Sequence, residues 1–380
     1  MARGNSYDVI VVGVGGMGAA VCWQLARRDK RVLGLERFDI PHAQGSSHGV
    51  TRIIRLAYYE DPAYVPLLKR AYELWHEASG AAGEPLLITT GSLDAGPADS
   101  DVFRGSLESC GRHGLVHEVL TGAEINARHP GYRLPEDFAA VFQPDGGFVL
   151  SERAIVAHAT MAMAAGAEIH ARETVLDWSL IPGGGVRVTT SRGSYEAGRL
   201  VLSPGAWIGD MVPALKDIAV PERQVLGWFQ PAHPERFMPA AFPVLNLLIA
   251  DGRYYLLPIH GVPGLKIGLY HHLEERGHPD TLSREVGDAD EAVLRRCIAR
   301  HFPDADGPLM MLKSCMFTNT PDEHFIIDVL KEQPEVLVVS PCSGHGYKFA
   351  SVVGEIVADL ATTGKSRFDL TMFGLARFGM

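Results

Sequence analysis

The chain has 380 residues, enough for two domains of ordinary size and a large core. Apolar residues make up 46% and charged residues 21%. The formal net charge of −10 comes with no dense Lys/Arg block, which argues against nucleic acid as a partner. Five cysteines, at 22, 110, 297, 315 and 342, show no CxxC spacing and no disulfide framework, so a reducing cytoplasm is the expected compartment.

Val9 to Val12 is a continuous apolar run, followed by Gly13-Val14-Gly15-Gly16-Met17-Gly18, a helical stretch and then Arg31-Val32-Leu33-Gly34-Leu35-Glu36. This predicts a buried parallel strand, a glycine turn, a helix and a second strand ending in an acid. Gly13 allows the tight turn, Gly15 lets the backbone approach a pyrophosphate at the helix start, and Gly18 lets the helix pack on the strand. Glu36 stands where a carboxylate accepts ribose hydroxyls, so a bound dinucleotide is expected. Arg3, the apolar run and the small residues before Cys22 imitate a secretion signal. Asp8 and the glycines interrupt that pattern, and it is read as a nucleotide turn instead. No segment reaches the roughly 18 apolar residues of a membrane span, and Phe378-Gly379-Met380 is not a peroxisomal address.

A polar loop from Arg37 through Gly45-Ser46-Ser47-His48-Gly49 leads to Thr51-Arg52-Ile53-Ile54-Arg55. Arg52 and Arg55, three apart, would point to one side if helical. Helices are predicted over 64–77, 101–114, 122–128, 151–165 (with Ser151 as its cap), 281–302 and 349–362. Strands are predicted near 86–95, 168–170, 186–190 with 194 onward as a hairpin, 200–202, several within 221–275, and 336–339. Lys266 sits mid-strand among apolar residues, with Leu265 and Ile267 facing the other way. Such a lysine either snorkels to the surface or lines a cavity. The glycine-rich turn Ser343-Gly344-His345-Gly346-Tyr347-Lys348 after the last strand suggests that the final helix also points its N-terminus at a cofactor, which suits a flavin. The sixteen histidines form no HxH, HExxH or Cys/His cluster, so no metal site is proposed.

Four segments together resemble one family: the first glycine motif, Gly45 to Arg55, Lys313-Ser314-Cys315-Met316-Phe317-Thr318-Asn319-Thr320-Pro321-Asp322-Glu323-His324-Phe325-Ile326-Ile327-Asp328, and Ser343 to Phe349. Over essentially its whole length the chain resembles the monomeric sarcosine oxidase and N-methyltryptophan oxidase family. The resemblance implies an α/β fold with a Rossmann-like FAD-binding domain (1–85, 145–220, 316–380) interleaved with a mixed-sheet substrate domain (86–144, 221–315). It implies FAD attached covalently through Cys315, and oxidation of a secondary amino acid by hydride transfer to flavin N5. Imine hydrolysis and reduction of O2 to H2O2 would follow, in a cytoplasmic monomer with no nucleic-acid or membrane partner. Besides the glycine motif with Val14, Gly16 and Met17, the implied cofactor contacts are Glu36, Arg37, Ser46, Ser47, Thr51, Arg52, Val175, Gly344, His345, Gly346, Tyr347 and Lys348. His48, Thr51 and Arg52 would lie beside the flavin, Lys266 would be the oxygen-activating cation, Arg55 and Lys348 would hold the substrate carboxylate, and Tyr255 would line the substrate site.

The chain departs from the family pattern at three places. Asn246 stands where a Met packs on the substrate, Phe317 replaces a Tyr, and Tyr270 takes the register of an active-site His unless a bulge restores His271. Pocket changes of this size shift preference by only a few kcal/mol, which leaves sarcosine, larger N-methyl amino acids, pipecolate and proline all open. A flavin dehydrogenase that does not use O2 is a second enzymatic reading. A non-catalytic dinucleotide-binding regulator is a third, and it leaves the flanks of Cys315 unexplained.

Overall fold

The computed structural model describes residues 6–380. Arg3 and the first five positions of the expected cofactor domain lie outside the described residues. In chain order the elements begin with β1 (Ser6–Val12), α1 (Gly16–Ala26), β2 (Val32–Leu35), β3 (Thr51–Ile54), α2 (Val65–Ala82), β4 (Leu87–Thr89), β5 (Ser92–Gly96), α3 (Asp101–His113), β6 (Glu118–Thr121) and α4 (Gly122–Arg128). There follow β7 (Ala139–Gln143), β8 (Gly147–Leu150), α5 (Ser151–Ala164), β9 (Glu168–His170), β10 (Val175–Leu180), β11 (Val186–Thr190), β12 (Ser194–Leu202) and α6 (Ile208–Met211). The last are β13 (Val220–Phe229), β14 (Val244–Ile249), β15 (Gly252–Leu257), β16 (Leu265–Leu269), α7 (Asp288–His301), β17 (Leu309–Asn319), β18 (Ile326–Leu330), β19 (Gln333–Ser340) and α8 (Ala350–Thr363).

One sheet has a parallel core, β9-β2-β1-β12, with β19 parallel to the second half of β12 and β11 antiparallel to its first half. β1 is almost fully buried from Val9 to Val12 because α1, α5 and α8 cover one face and the β10–β11 side covers the other. Gly13 at φ 86° makes the turn into α1, and a Cβ on Gly18 would stand 1.8 Å from the Gly13 carbonyl oxygen, so only glycine fits at either position. The second sheet runs β17-β13-β16-β15-β14-β5-β7-β6, and a small third sheet, β3-β8-β4, joins the two.

Several expectations change. Thr51–Ile54 is a strand, not a helix, because three of its four residues are β-branched and it pairs antiparallel with β8. Arg52 and Arg55 therefore diverge. Leu150, not Ser151, is the N-cap of α5, and the Ser151 hydroxyl turns instead to Glu152 at 2.6 Å. The helix expected over 281–302 is confined to α7, where the Asp290 carboxylate accepts the N-cap Gly287 N–H at 3.0 Å. The run 86–95 splits between two sheets, β4 and β5, around Gly91 at φ 76°.

Candidate active site

The large cleft of the molecule opens at the carboxyl ends of the parallel strands, the place where open α/β sheets take their ligands. Val12 ends β1 and Gly13 follows it, Leu35 ends β2 and Glu36 follows it, Ser203 and Pro204 follow β12, and Pro341 and Cys342 follow β19; all eight line it. Its cavity volume is about 240 Å³. Of the expected cofactor residues, Gly13, Val14, Gly15, Gly16, Met17, Glu36, Arg37, Ser46, Ser47, Arg52, Val175, Gly344, Gly346 and Tyr347 lie on its wall. Gly18 acts behind it, in the packing of α1 on β1.

The cradle fits a dinucleotide. The backbone turn of α1 faces the cleft, and the Ser47 hydroxyl accepts from Gly16 N–H at 3.4 Å. The buried Ser46 hydroxyl has no partner among the described residues. Glu36 is buried, and its carboxylate accepts the Val14 and Phe38 N–H groups, each at 2.9 Å, which fixes it at the end of β2. The side chain of Arg37 bonds Asp280 at 3.2 Å.

A second, smaller cavity adjoins the cleft, and Arg52, Phe317, Gly344 and Tyr347 belong to both walls. Its other lining residues are Ile53, Tyr255, Tyr270, Cys315, His345 and Lys348. Cys315 and Phe317 alternate onto one face of β17. Cys315 is 3% exposed, and an Arg52 guanidinium nitrogen stands 3.4 Å from its sulfur. Tyr255, Tyr270 and Phe317 form an aromatic wall, with Tyr270 centred 5.5 Å from Tyr255 and 5.4 Å from Phe317. His271 does not enter the cavity. It takes φ 58° and turns outward between Glu222 (2.9 Å) and Glu323 (3.1 Å), whose hydrogen bonds raise its pKa to about 9. The register Lys266 to Tyr270 thus continues unbroken, and Tyr270 holds the inward position.

Two buried lysines bear on this site: Lys348 lines the smaller cavity, and Lys266, in neither lining, lies beneath the Gly49–Thr51 backbone. Lys348 Nζ donates to the His345 carbonyl at 2.7 Å, and burial, aided by Arg55, brings its pKa down to about 7. Lys266 is 1% exposed and donates to the carbonyls of Gly49 (2.8 Å) and Thr51 (2.5 Å) and to Thr51 Oγ1 (3.2 Å). Those three oxygens match the three donors of an ammonium, although burial and Arg52 push it well below the usual lysine range. The carbonyls reach it because Gly49 (φ 96°) and Val50 (φ 72°) are both left-handed, a rare conformation for a β-branched residue. The Glu152 carboxylate holds the same kink from the other side, accepting Gly49 N–H at 2.7 Å and Val50 N–H at 2.9 Å.

Other expected residues stand apart from the cavity wall. His48 is buried beside Arg52 and Lys313, with neither ring nitrogen partnered among the described residues, and burial lowers its pKa to about 3, so it is neutral. Thr51 faces Lys266. Arg55 is turned away, with one guanidinium nitrogen at 2.7 Å and 2.9 Å from the two Glu60 oxygens and Nε at 3.5 Å from Asp94. Asn246 donates to Asp94 at 2.7 Å from the neighbouring strand. Arg55 holds Glu60 down at about 2 against the effect of burial, while burial raises Asp94 to about 6. Glu60 and Asp94 escaped the sequence reading because residues 55, 60, 94 and 246 meet only through the sheet.

The FAD-dependent oxidoreductases combine such a cradle with an adjoining substrate cavity, and the chain belongs to that family, whose model, FAD dependent oxidoreductase, matches residues 8–360. It is 40% identical over 376 residues to the monomeric sarcosine oxidase of Bacillus sp. (strain B-0618), covering 98% of this chain and 96% of that one. It is 37% identical over 381 residues to the N-methyl-L-tryptophan oxidase of Citrobacter koseri, covering 98% and 99%. Among solved structures, NikD, an unusual amino acid oxidase essential for nikkomycin biosynthesis, superposes with TM-score 0.84 at 26% identity over 97% of each chain. Among the described residues no helix is long and apolar enough to cross a membrane.

Proposed function

We propose that the enzyme oxidises a secondary amino acid, such as an N-methyl amino acid, at the carbon beside nitrogen, with O2 as the final acceptor. The supporting observation is a small cavity that shares Arg52, Phe317, Gly344 and Tyr347 with the cofactor cleft and holds one buried ammonium, Lys348, opposite an aromatic wall. FAD, when bound, supplies the two-electron acceptor and passes the pair to O2 as H2O2. The residues supply the rest. Lys348 takes the substrate carboxylate, and Arg55 joins it by leaving Glu60. Tyr255, Tyr270 and Phe317 exclude water and keep the amine neutral and oriented. Arg52 places positive charge against Cys315, the thiol proposed to carry the flavin by a thioether, and Lys266 places a fixed cation where negative charge develops during reoxidation.

In this reading residues 1–85, 145–220 and 316–380 hold the cofactor, 86–144 and 221–315 hold the substrate, and the protein works as a cytoplasmic monomer. A peroxide assay against sarcosine, larger N-methyl amino acids, pipecolate and proline tests it. Peroxide from at least one is expected, and turnover only with an artificial electron carrier would overturn the oxidase reading.

A further inference from the structure

Arg253 stacks on Tyr270, a wall residue of the smaller cavity, and nothing in the reaction above uses it. On β15 it shares a face with Tyr255, while Tyr254 between them packs into the core. Its carbonyl accepts the Tyr270 N–H at 2.9 Å, so the backbone sets the two side chains together. The guanidinium carbon lies 3.7 Å from the Tyr270 ring centre and 5.3 Å from that of Tyr59. Arg55 is 4.1 Å from the same Tyr59 ring. A stack of Arg55, Tyr59, Arg253 and Tyr270 therefore runs up to the cavity, and of the four Tyr270 lines its wall.

Stacking occupies the faces of a guanidinium and leaves its edge, which carries five N–H donors, for acceptors. Among the described residues none of those donors has a hydrogen-bond partner. The one carboxylate within 4 Å is Glu323, at 3.9 Å, and its other oxygen faces His271 at 3.1 Å. Glu60 is already held by Arg55. The Tyr59 hydroxyl, on the ring between the two arginines, is buried and also unpartnered. A buried hydroxyl ordinarily finds a partner, whereas the Arg253 side chain, 19% exposed, also meets solvent. His271, held cationic at neutral pH by Glu222 and Glu323, shares Glu323 with Arg253, and the Arg253 edge keeps donors for an added anion.

We propose that the Arg253 guanidinium and the Tyr59 hydroxyl bind a second anionic group of the substrate. The preferred substrate is then a secondary amino acid with a carboxylate in its side chain, an N-alkylated amino dicarboxylic acid. This rests on the amino-acid-oxidase reading, and the experiment keeps the two apart. The holoenzyme is given N-methyl-L-glutamate and its uncharged isostere N-methyl-L-glutamine, and is separately titrated with glutarate and with its monoamide, glutaramate, by the visible flavin spectrum. The acid should be favoured over the amide by about tenfold or more in kcat/KM, and glutarate over glutaramate similarly in Kd. Arg253→Met should abolish both preferences while changing the amide compounds by less than about threefold, and Arg253→Lys should keep part of the preference because it keeps the charge. No preference in the parent enzyme overturns the proposal. So does an equal loss on acid and amide in both variants, which would make Arg253 only a support for Tyr270. If no amine yields peroxide, the oxidase reading fails, and the glutarate comparison still decides the anion site.

Discussion

Raising the pH should loosen carboxylate binding, and Lys348 should be the reason. Its ammonium is buried, has one protein acceptor at 2.7 Å, and titrates at about 7 because burial and Arg55 disfavour its charge. A carboxylate ligand adds a charge-assisted hydrogen bond worth about 1.5–3 kcal/mol. At about 1.4 kcal/mol per unit, that lifts the pKa in the complex by about 1–2 units. A group whose pKa rises on binding gives its full contribution below the free value and loses it as pH climbs to the bound value. The Kd of a simple monocarboxylate such as propionate should therefore be nearly level just below about pH 7, then rise up to about tenfold per unit until roughly pH 8–9, for a total of about 10- to 100-fold. Asp94, near 6, titrates a unit earlier and His271, near 9, at the upper end, and both remain in a variant lacking Lys348. Titrating the holoenzyme by its flavin spectrum from about pH 6 to about pH 9 reads the curve. Lys348→Met should bind weakly throughout and lose the slope between pH 7 and 9. A level Kd in the parent enzyme, or a slope that survives in Lys348→Met, refutes the reasoning.

Cys315→Ala should give protein whose flavin washes out on acid precipitation, where the parent stays yellow; colourless parent protein would remove the thioether. Lys266→Met should still bleach quickly under anaerobic substrate yet reoxidise in air about 10²–10³-fold more slowly, the usual cost of one preorganised charge-stabilising group. Stopped-flow separates the two half-reactions, and slow reduction with normal reoxidation would reassign Lys266 to substrate binding. Arg55→Met strands Glu60 and Asp94 without their cation and should cost about 3–5 kcal/mol in urea unfolding. Because Asp94 is already raised to about 6, the stability it takes away accrues as pH rises through that value. The deficit of Arg55→Met should therefore shrink on acidification from pH 7 to 5, and a deficit that does not change with pH counts against the network.

The glycine turn and the buried apolar runs of β1 and β2 were legible in the sequence because each is a local pattern of neighbouring residues. The strand at Thr51–Ile54 was obscured by two arginines at helical spacing, and only its pairing with β8 decides the matter. Tyr270 and His271 could not be told apart in advance, since the choice depends on one left-handed residue, His271, held by carboxylates from two other strands or loops. Arg253 carried no signal at all. It sits in an alternating strand as any exposed arginine does, and its meaning comes from Tyr59 and Tyr270, neither adjacent to it in the chain.

The kink at Gly49–Val50 has a bearing on how the protein tolerates change. A β-branched residue at φ 72° stores strain on the order of 1–3 kcal/mol. Glu152, from α5, and Lys266, from β16, clamp it from opposite sides. Neither clamp can be lost alone without letting the loop relax and withdrawing the carbonyls that hold the other. Val50→Gly removes the strain and the constraint together, so it should raise or preserve thermal stability while blurring the position of the Lys266 ammonium. At this loop stability and the oxygen reactivity proposed for Lys266 would pull in opposite directions, and selection for a hardier enzyme would be expected to find Val50 before it finds the core.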